Sequence, residues 1–293
     1  MNKRWAFVMM TLVVAAWGAS YMWMKVALVA VSPLLLVGLR FLIAFAVTML
    51  VFPHGLHGLH KEHVQAALIM GTLLYGLFAS VMFGLQHTSA TTAGFLVATT
   101  AMFVMIFNAV LQRQLPRPSA IIATIAVIIG LFLLVANGHL QFSIGAPLCL
   151  LTAALYAVHI IYSGHVTRKI ADTFSISVLQ LGVAGVEGVI SSLLFEKPEL
   201  PATTTQWGAV LALGIICSAF GFVVQTKVQH FLTPETISLI FSLEPLFSAG
   251  FGIWLLGEHL SGLQMIGAAL IFASVTINEL ISARRPASPC ALN

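Results

Sequence analysis

Charge is what this chain has least of. Of its 293 residues, 13 are Lys or Arg and 9 are Asp or Glu, together 8%, where a soluble domain carries about 25%. That scarcity excludes an ordinary water-facing surface. Cysteine is also scarce: Cys149, Cys217 and Cys290 are too few for a disulfide framework. A Gly-x-x-x-x-Gly-Lys pattern is absent, so nothing marks a site for hydrolysing ATP. The net charge of +4 lies scattered between apolar runs, not on one face, which argues against nucleic acid. No cluster of nucleophile, base or metal ligands recurs at one depth, so an intramembrane enzyme is disfavoured and no cofactor is expected. His159 and Glu244 alone do not make one.

What the chain has is apolar length. Hydrophobic residues make up 59% and mean hydropathy is +1.02. At about 20 apolar residues per crossing, the sequence predicts ten spans. They lie near 5–28, 33–52, 64–86, 89–111, 118–136, 144–165, 175–195, 206–228, 234–256 and 261–282. The expected class is an all-α integral membrane protein. Lys3 and Arg4 precede the first run, but that run outlasts a signal core and more spans follow, so it reads as a retained span. With the N-terminus inside, Lys3, Arg4, Lys61, Arg113, Arg117, Arg168, Lys169, Lys227, Arg284 and Arg285 are cytoplasmic. Only Lys25 and Lys197 fall outside, so both termini are expected in the cytoplasm.

A shift of 144 lays TSATTAGFLVATTAMFVMIF, from Thr88, on LTPETISLIFSLEPLFSAGF, from Leu232. The same shift sets Arg113 and Gln114 on Gly257 and Glu258. Five spans per half make the two copies opposite in orientation, the footprint of secondary transporters that hold substrate at the midplane. The expected units are 1–136 and 144–282, with a short cytoplasmic tail at 283–293.

Several local runs then point to a family. They are Trp17-Gly18 and Lys25 in WGASYMWMK, GLRFLIA with Arg40, Glu244-Pro245, Gly257-Glu258, and GAALIFASV from Gly267. In this order over ten spans the chain resembles the EamA family of the drug/metabolite transporter superfamily. The resemblance implies a ten-helix carrier in the inner (plasma) membrane that moves small metabolites, often exporting amino acids. The first half departs from the pattern, with Thr100-Ala101 and Gln114 where the second has Glu244-Pro245 and Glu258. Any acid or kink is therefore expected to act on one side only.

Glu244 is the first site candidate. A carboxylate mid-span is costly, and intramembrane ionisable residues are functional candidates by default. Pro245 beside it removes a backbone donor and frees the carbonyl of Phe241, so the pair reads as a coupling or gating element. The alternative is a hydrogen-bonded acid that pins helices. Arg40 and Glu187, the latter about 18 Å up its span, lie at comparable depth and are expected to pair. Arg40 gripping a substrate carboxylate is the alternative. Trp17, Tyr21, Tyr75, Tyr156 and His159 sit inside spans and form the expected substrate-binding group, with packing as the competing role. Gln180, Gln225, Thr99 and Thr100 are weaker members.

Lys25 is expected to snorkel to the interface. Gly182, Gly185 and Gly188 recur every third residue as a close-packing face. His54, His57, His60 and His63 also recur every third residue, but no cysteine completes a metal pattern and no metal is expected. The expected function is a secondary transporter for a small polar metabolite by alternating access. The partners are that solute and the lipid bilayer, and no oligomeric partner is required. A passive channel, or a metal permease using the histidine loop, is the second reading.

Overall fold

The computed structural model describes residues 3–53, 60–111, 113, 118–135, 144–170, 173–228, 231, 240–241 and 243–283. Among these residues the chain is all helix and turn, with no strand. The helices are α1 Lys3–Ala27, α2 Pro33–Val51, α3 Lys61–Leu85, α4 Ala90–Ala98, α5 Thr100–Leu111 and α6 Pro118–Val135. There follow α7 Gly145–Lys169, α8 Thr173–Phe195, α9 Thr204–Leu211, a π segment Ala212–Phe220, α10 Gly221–Val228, α11 Glu244–Leu256 and α12 Gly262–Ala283.

Seven described stretches are long and apolar enough to cross a membrane: Arg4–Ala27, Pro33–Val51, Lys61–Leu85, Ala90–Leu111, Gly145–Val166, Phe174–Phe195 and Thr204–Gln225. Ile121–Leu134, Glu244–Leu256 and Gly262–Ser274 are shorter apolar helices. The protein is multi-pass. Its spans start where local chemistry satisfies the first amides. Pro33 opens α2 behind the extended Ser32, and Ser89 accepts the Thr92 N–H ahead of α4. Thr203 and Gln206 cap α9 reciprocally.

Packing joins one half of the chain to the other. α8 lies along α2, α12 along α6, α7 and α8 along α3, and α11 along α1 and α4; the π segment lies on α2 and α1. Close backbone approach sets these contacts. A Cβ on Gly188 would sit 2.5 Å from the Gly38 nitrogen, and one on Gly267 would sit 2.6 Å from the Gly130 carbonyl. Gly185 faces Leu42 and Gly182 faces Phe45, so the three glycines of α8 do form a close-packing face, and it is turned toward α2. The main core runs through α1, α2, α3, α4 and the π segment; a smaller one joins α4 and α5 to α6 and α12. α6 leaves Ile121, Ile122, Ile125 and Ile128 exposed, as a lipid-facing helix does.

Candidate functional site

The break at α11 comes from its own sequence. Pro245 has no N–H to give, and Glu244 opens the helix. Just there the ladder tightens: the Leu243 N–H donates to Ile240 O at 3.1 Å and Leu246 N–H to Leu243 O at 3.0 Å, both three residues back. The junction of α4 and α5 does the same. Thr99 N–H donates to Leu96 O at 3.2 Å and Met102 N–H to Thr99 O at 2.9 Å. The 144-residue shift sets Thr99 on Leu243 and Met102 on Leu246. The expectation of a kink in one half alone is corrected. Without a proline, Thr99 Oγ1 takes the Leu96 carbonyl at 2.6 Å and Thr100 Oγ1 takes that of Val97 at 2.7 Å. Two successive hydroxyls bond back to carbonyls of the tightened turn, that of Leu96 being shared with the Thr99 N–H.

Around Glu244 several predicted side chains converge. The Tyr21 hydroxyl donates to Glu244 Oε1 at 3.2 Å. Arg40 and Tyr156 lie within electrostatic reach of the same carboxyl. Glu244 sits deep in the bundle yet keeps part of its surface accessible, as does Tyr156. Trp17, one turn before Tyr21, donates Nε1–H to the Cys217 carbonyl at 2.8 Å, and its ring leans on Phe241 at 5.4 Å and Phe222 at 6.2 Å. Cys217 and Ser218 belong to the π segment, a local widening that often accompanies functional sites. Nothing in the sequence pattern marked it. His159 is near Tyr156, with ring centroids 6.2 Å apart, but its hydrogen bond is to Gln180 at 2.9 Å and not to the acid. Tyr75 is partly buried against the main core.

Arg40 and Glu187 are not a pair. Arg40 Nε donates to Ser218 Oγ at 2.8 Å, and its guanidinium stands 4.3 Å from the Phe78 ring centroid and 5.4 Å from that of Phe41. Glu187 accepts from Thr72 Oγ1 at 2.6 Å. The reason is rotational. α8 presents Gly188 to α2, and the preceding residue is turned about 100° away, toward α3.

Lys25 has partners that the sequence did not point to. Its side chain stays 37% exposed at the end of α1 and also donates to Thr88 O at 3.1 Å and to Glu258 Oε1 at 3.4 Å. Among the described residues this is the one ion pair within 4.0 Å. Glu258 accepts the Ala90 N–H at 2.7 Å and the Thr91 N–H at 2.9 Å, the open amides at the start of α4. Burial pushes the Glu258 carboxyl up, but those donors and Lys25 outweigh it and hold the group below its ordinary range. Glu196 grips α2 in the same way, through Leu34 N–H at 3.1 Å and Leu35 N–H at 3.3 Å. Sequence reasoning placed Glu258 in the repeat without seeing this role. The available signal was an acid directly after a helix-ending Gly257.

His54 and His57 lie outside the described residues, as do Arg117, Arg284, Arg285 and Cys290. His63 Nδ1 accepts the His60 N–H at 3.3 Å, so this half of the loop starts α3. Among the described residues no group of three or more His, Cys, Asp or Glu could hold a metal ion.

Comparison with known proteins agrees with this architecture. Over 292 residues the chain is 28% identical to an "Uncharacterized transporter" of Archaeoglobus fulgidus, spanning 94% of this chain and 97% of that one. It is 28% identical over 286 residues to a "Probable amino-acid metabolite efflux pump" of Salmonella typhimurium, spanning 91% and 92%. A solved crystal structure shares the fold with a TM-score of 0.65 at 20% identity, covering 97% of this chain and 99% of its own. The model of the EamA-like transporter family matches twice, at residues 4–136 and 143–279. The chain belongs to the EamA-like transporter family.

Proposed function

We propose that this protein is a secondary transporter that exports a small polar metabolite, an amino acid or a related compound, by alternating access. Ten spans form two inverted five-helix units, 1–136 and 144–282, with 283–293 as a tail. Both termini lie in the cytoplasm and the membrane is the plasma membrane. The observation that carries this reading is the acid Glu244, bonded to Tyr21 at the break that opens α11, in a bundle whose other half breaks at the matching position. The helix pairing supports the inverted arrangement. α2 with α8 and α6 with α12 exchange with themselves under such symmetry, while α3 on α7 exchanges with the π segment and its flanks on α1.

The site suits a zwitterion with an apolar body. Trp17 and Tyr156 offer faces to its body, Arg40 offers a guanidinium, and Glu244 with Tyr21 offers an acceptor and a donor. Tyr75 and His159 complete the wall. Glu244 takes up and releases the coupled proton, and Pro245 with Thr99 and Thr100 gives the two halves places to bend. The Salmonella efflux pump supports the substrate class by name.

Counterflow in proteoliposomes, screened across amino acids, purines, amines and vitamins, tests the reading. Accelerated exchange with at least one amino-acid-like solute is expected. Glu244→Gln should lower pH-dependent flux by at least about tenfold, the scale of one charge-assisted hydrogen bond. Wild-type flux and pH dependence in a folded Glu244→Gln protein would leave the acid structural. Flux that neither saturates nor shows counterflow would make the protein a channel.

A further inference from the structure

The contact at the Lys25 end does more than finish a helix. Glu258 follows α11, yet both its oxygens hold the first turn of α4. These helices belong to the two interrupted spans, and they touch along a seam. Ser248 Oγ donates to Ala90 O at 3.0 Å, and Gly94 faces Ser248 with no room for a Cβ. The seam joins the start of α4 to Ser248 and Gly252 of α11, and Glu258 folds back on it, its N–H donating to Gly252 O at 3.1 Å. Gly252 is eight residues, about 12 Å of helix, from Glu244. α1 bridges both ends. Tyr21 reaches one way to Glu244, while Lys25, one turn on, reaches the other way to Glu258.

We propose that Glu258 is a gating residue: with Lys25 it holds α4 against α11 and closes the Glu244 site at the Lys25 end, and transport requires this clamp to release. The proposal rests on the reading of Glu244 as the transport site. Glu196 holds α2 to α8 at the same end, but those helices share the tight Gly38–Gly188 crossing and belong to the fixed frame. Gly252 also belongs to the clamp, because a Cβ there would meet Glu258 Oε2 at 2.6 Å.

The clamp is not a neutral-range pH switch. Lys25 on α1 is the charge that faces Glu258, and α4 contributes backbone donors. A carboxyl held below its ordinary 4.5 gives stabilisation that is fully present above 4.5 and lost only as pH falls through the lower folded value. Release must therefore come from solute or from the rocking of the halves.

The test uses the full chain in vesicles with Ser248→Cys as reporter. A membrane-impermeant maleimide is applied, and labelling is read on the peptide containing position 248, so that native cysteines are scored apart. Glu258→Gln should raise labelling roughly tenfold or more, the scale of a charge-assisted hydrogen bond. Lys25→Met should raise it less and Glu196→Gln should leave it unchanged. Taken as the ratio of the clamped to the Glu258→Gln protein at each pH, which cancels the thiol's own ionisation, labelling should stay flat from about pH 5 to pH 8. Unchanged labelling in a folded Glu258→Gln protein overturns the proposal, as does an equal rise in Glu196→Gln, which means general loosening. Should Glu258→Gln not fold, Lys25→Met decides: a rise supports the gate and no rise overturns it. Labelling needs no solute, so a chain that gates but shows no counterflow separates failure of the transport reading from failure of the gate.

Discussion

The α4–α5 junction and the start of α11 are the same backbone event made with different chemistry. At Thr99 two hydroxyls take the carbonyls of Leu96 and Val97. At Leu243 a proline withholds a donor and an acid stands beside it. The hydrogen bonds fall at matching positions even so, Met102 to Thr99 and Leu246 to Leu243. The bend is thus common to both halves and the ionisable group is not. If the protein works by the proposed alternating access, both breaks bend while only one carries a charge. The acid and the hinge, adjacent in sequence, are then separable functions.

The largest effect should come from crowding the acid-bearing break. Gly18 on α1 lies against it, and a Cβ there would be 2.5 Å from Phe247 Cβ, 2.9 Å from the Ser248 nitrogen and 3.0 Å from the Glu244 carbonyl. Two of these are backbone atoms of α11 that cannot rotate away. In a free helix Gly→Ala gains up to about 1 kcal/mol. Here overpacking of about 1–3 kcal/mol outweighs that gain. Gly18→Ala should lower the detergent-solubilised melting temperature and impair transport. A protein as stable as wild type would mean that α11 can retreat from α1 without cost.

A middle effect should follow from removing the hydroxyls of the other break. Thr99→Val with Thr100→Val keeps shape but removes one hydroxyl donor from each of the Leu96 and Val97 carbonyls, a loss of about 1 kcal/mol each at most, because the Thr99 N–H still reaches Leu96 O. The carbonyls are then free to rejoin a regular ladder, so the helix should straighten. Transport should fall several-fold while any proton dependence set by Glu244 persists. Loss of pH dependence together with rate would break the separation of hinge from acid.

The sequence carried the class of fold well because it is dictated by one solvent. A bilayer forces apolar helices, and their lengths and glycine faces follow from it, as Gly182, Gly185 and Gly188 against α2 illustrate. Trp17, Tyr21 and Tyr156 were legible with Glu244 as polar and aromatic groups inside spans, and Tyr21 does bond the acid, whereas Arg40 was expected elsewhere. Pairings were not legible. Arg40 and Glu187 have matching depth, but depth says nothing of rotation about the helix axis, and one residue of offset from Gly188 sends Glu187 to Thr72. Lys25 at a helix end reads as an interfacial cation, and nothing in its own run points to Glu258, 233 residues away, as its partner. The Thr99 break was hidden because threonine in a span is common, while a mid-span proline announces itself.

The smallest effects test whether the two halves also end alike. α11 stops at Gly257, with φ of 65°, and the first copy stops at the equivalent Arg113, with φ of 51°. Both are left-handed, a conformation that costs a non-glycine residue roughly 1–2 kcal/mol and glycine almost nothing. A left-handed residue is therefore relaxed at Gly257 and strained at Arg113, though the bonds differ, Gly257 N–H donating to Gly252 O and Arg113 N–H to Val110 O. Gly257→Ala should destabilise by about 1 kcal/mol, and it should also raise maleimide labelling of Ser248→Cys, because Glu258 takes its aim from that turn. Arg113→Gly should do the reverse and stabilise by somewhat less than about 1 kcal/mol, since the added chain freedom of glycine offsets part of the relief. Thermal melts of the two single variants and the double decide the matter. Opposite signs that add in the double mean that two separate turns share one geometry. Two losses mean that the Arg113 side chain makes up for its strained backbone, and the likeness of the halves then stops at the breaks.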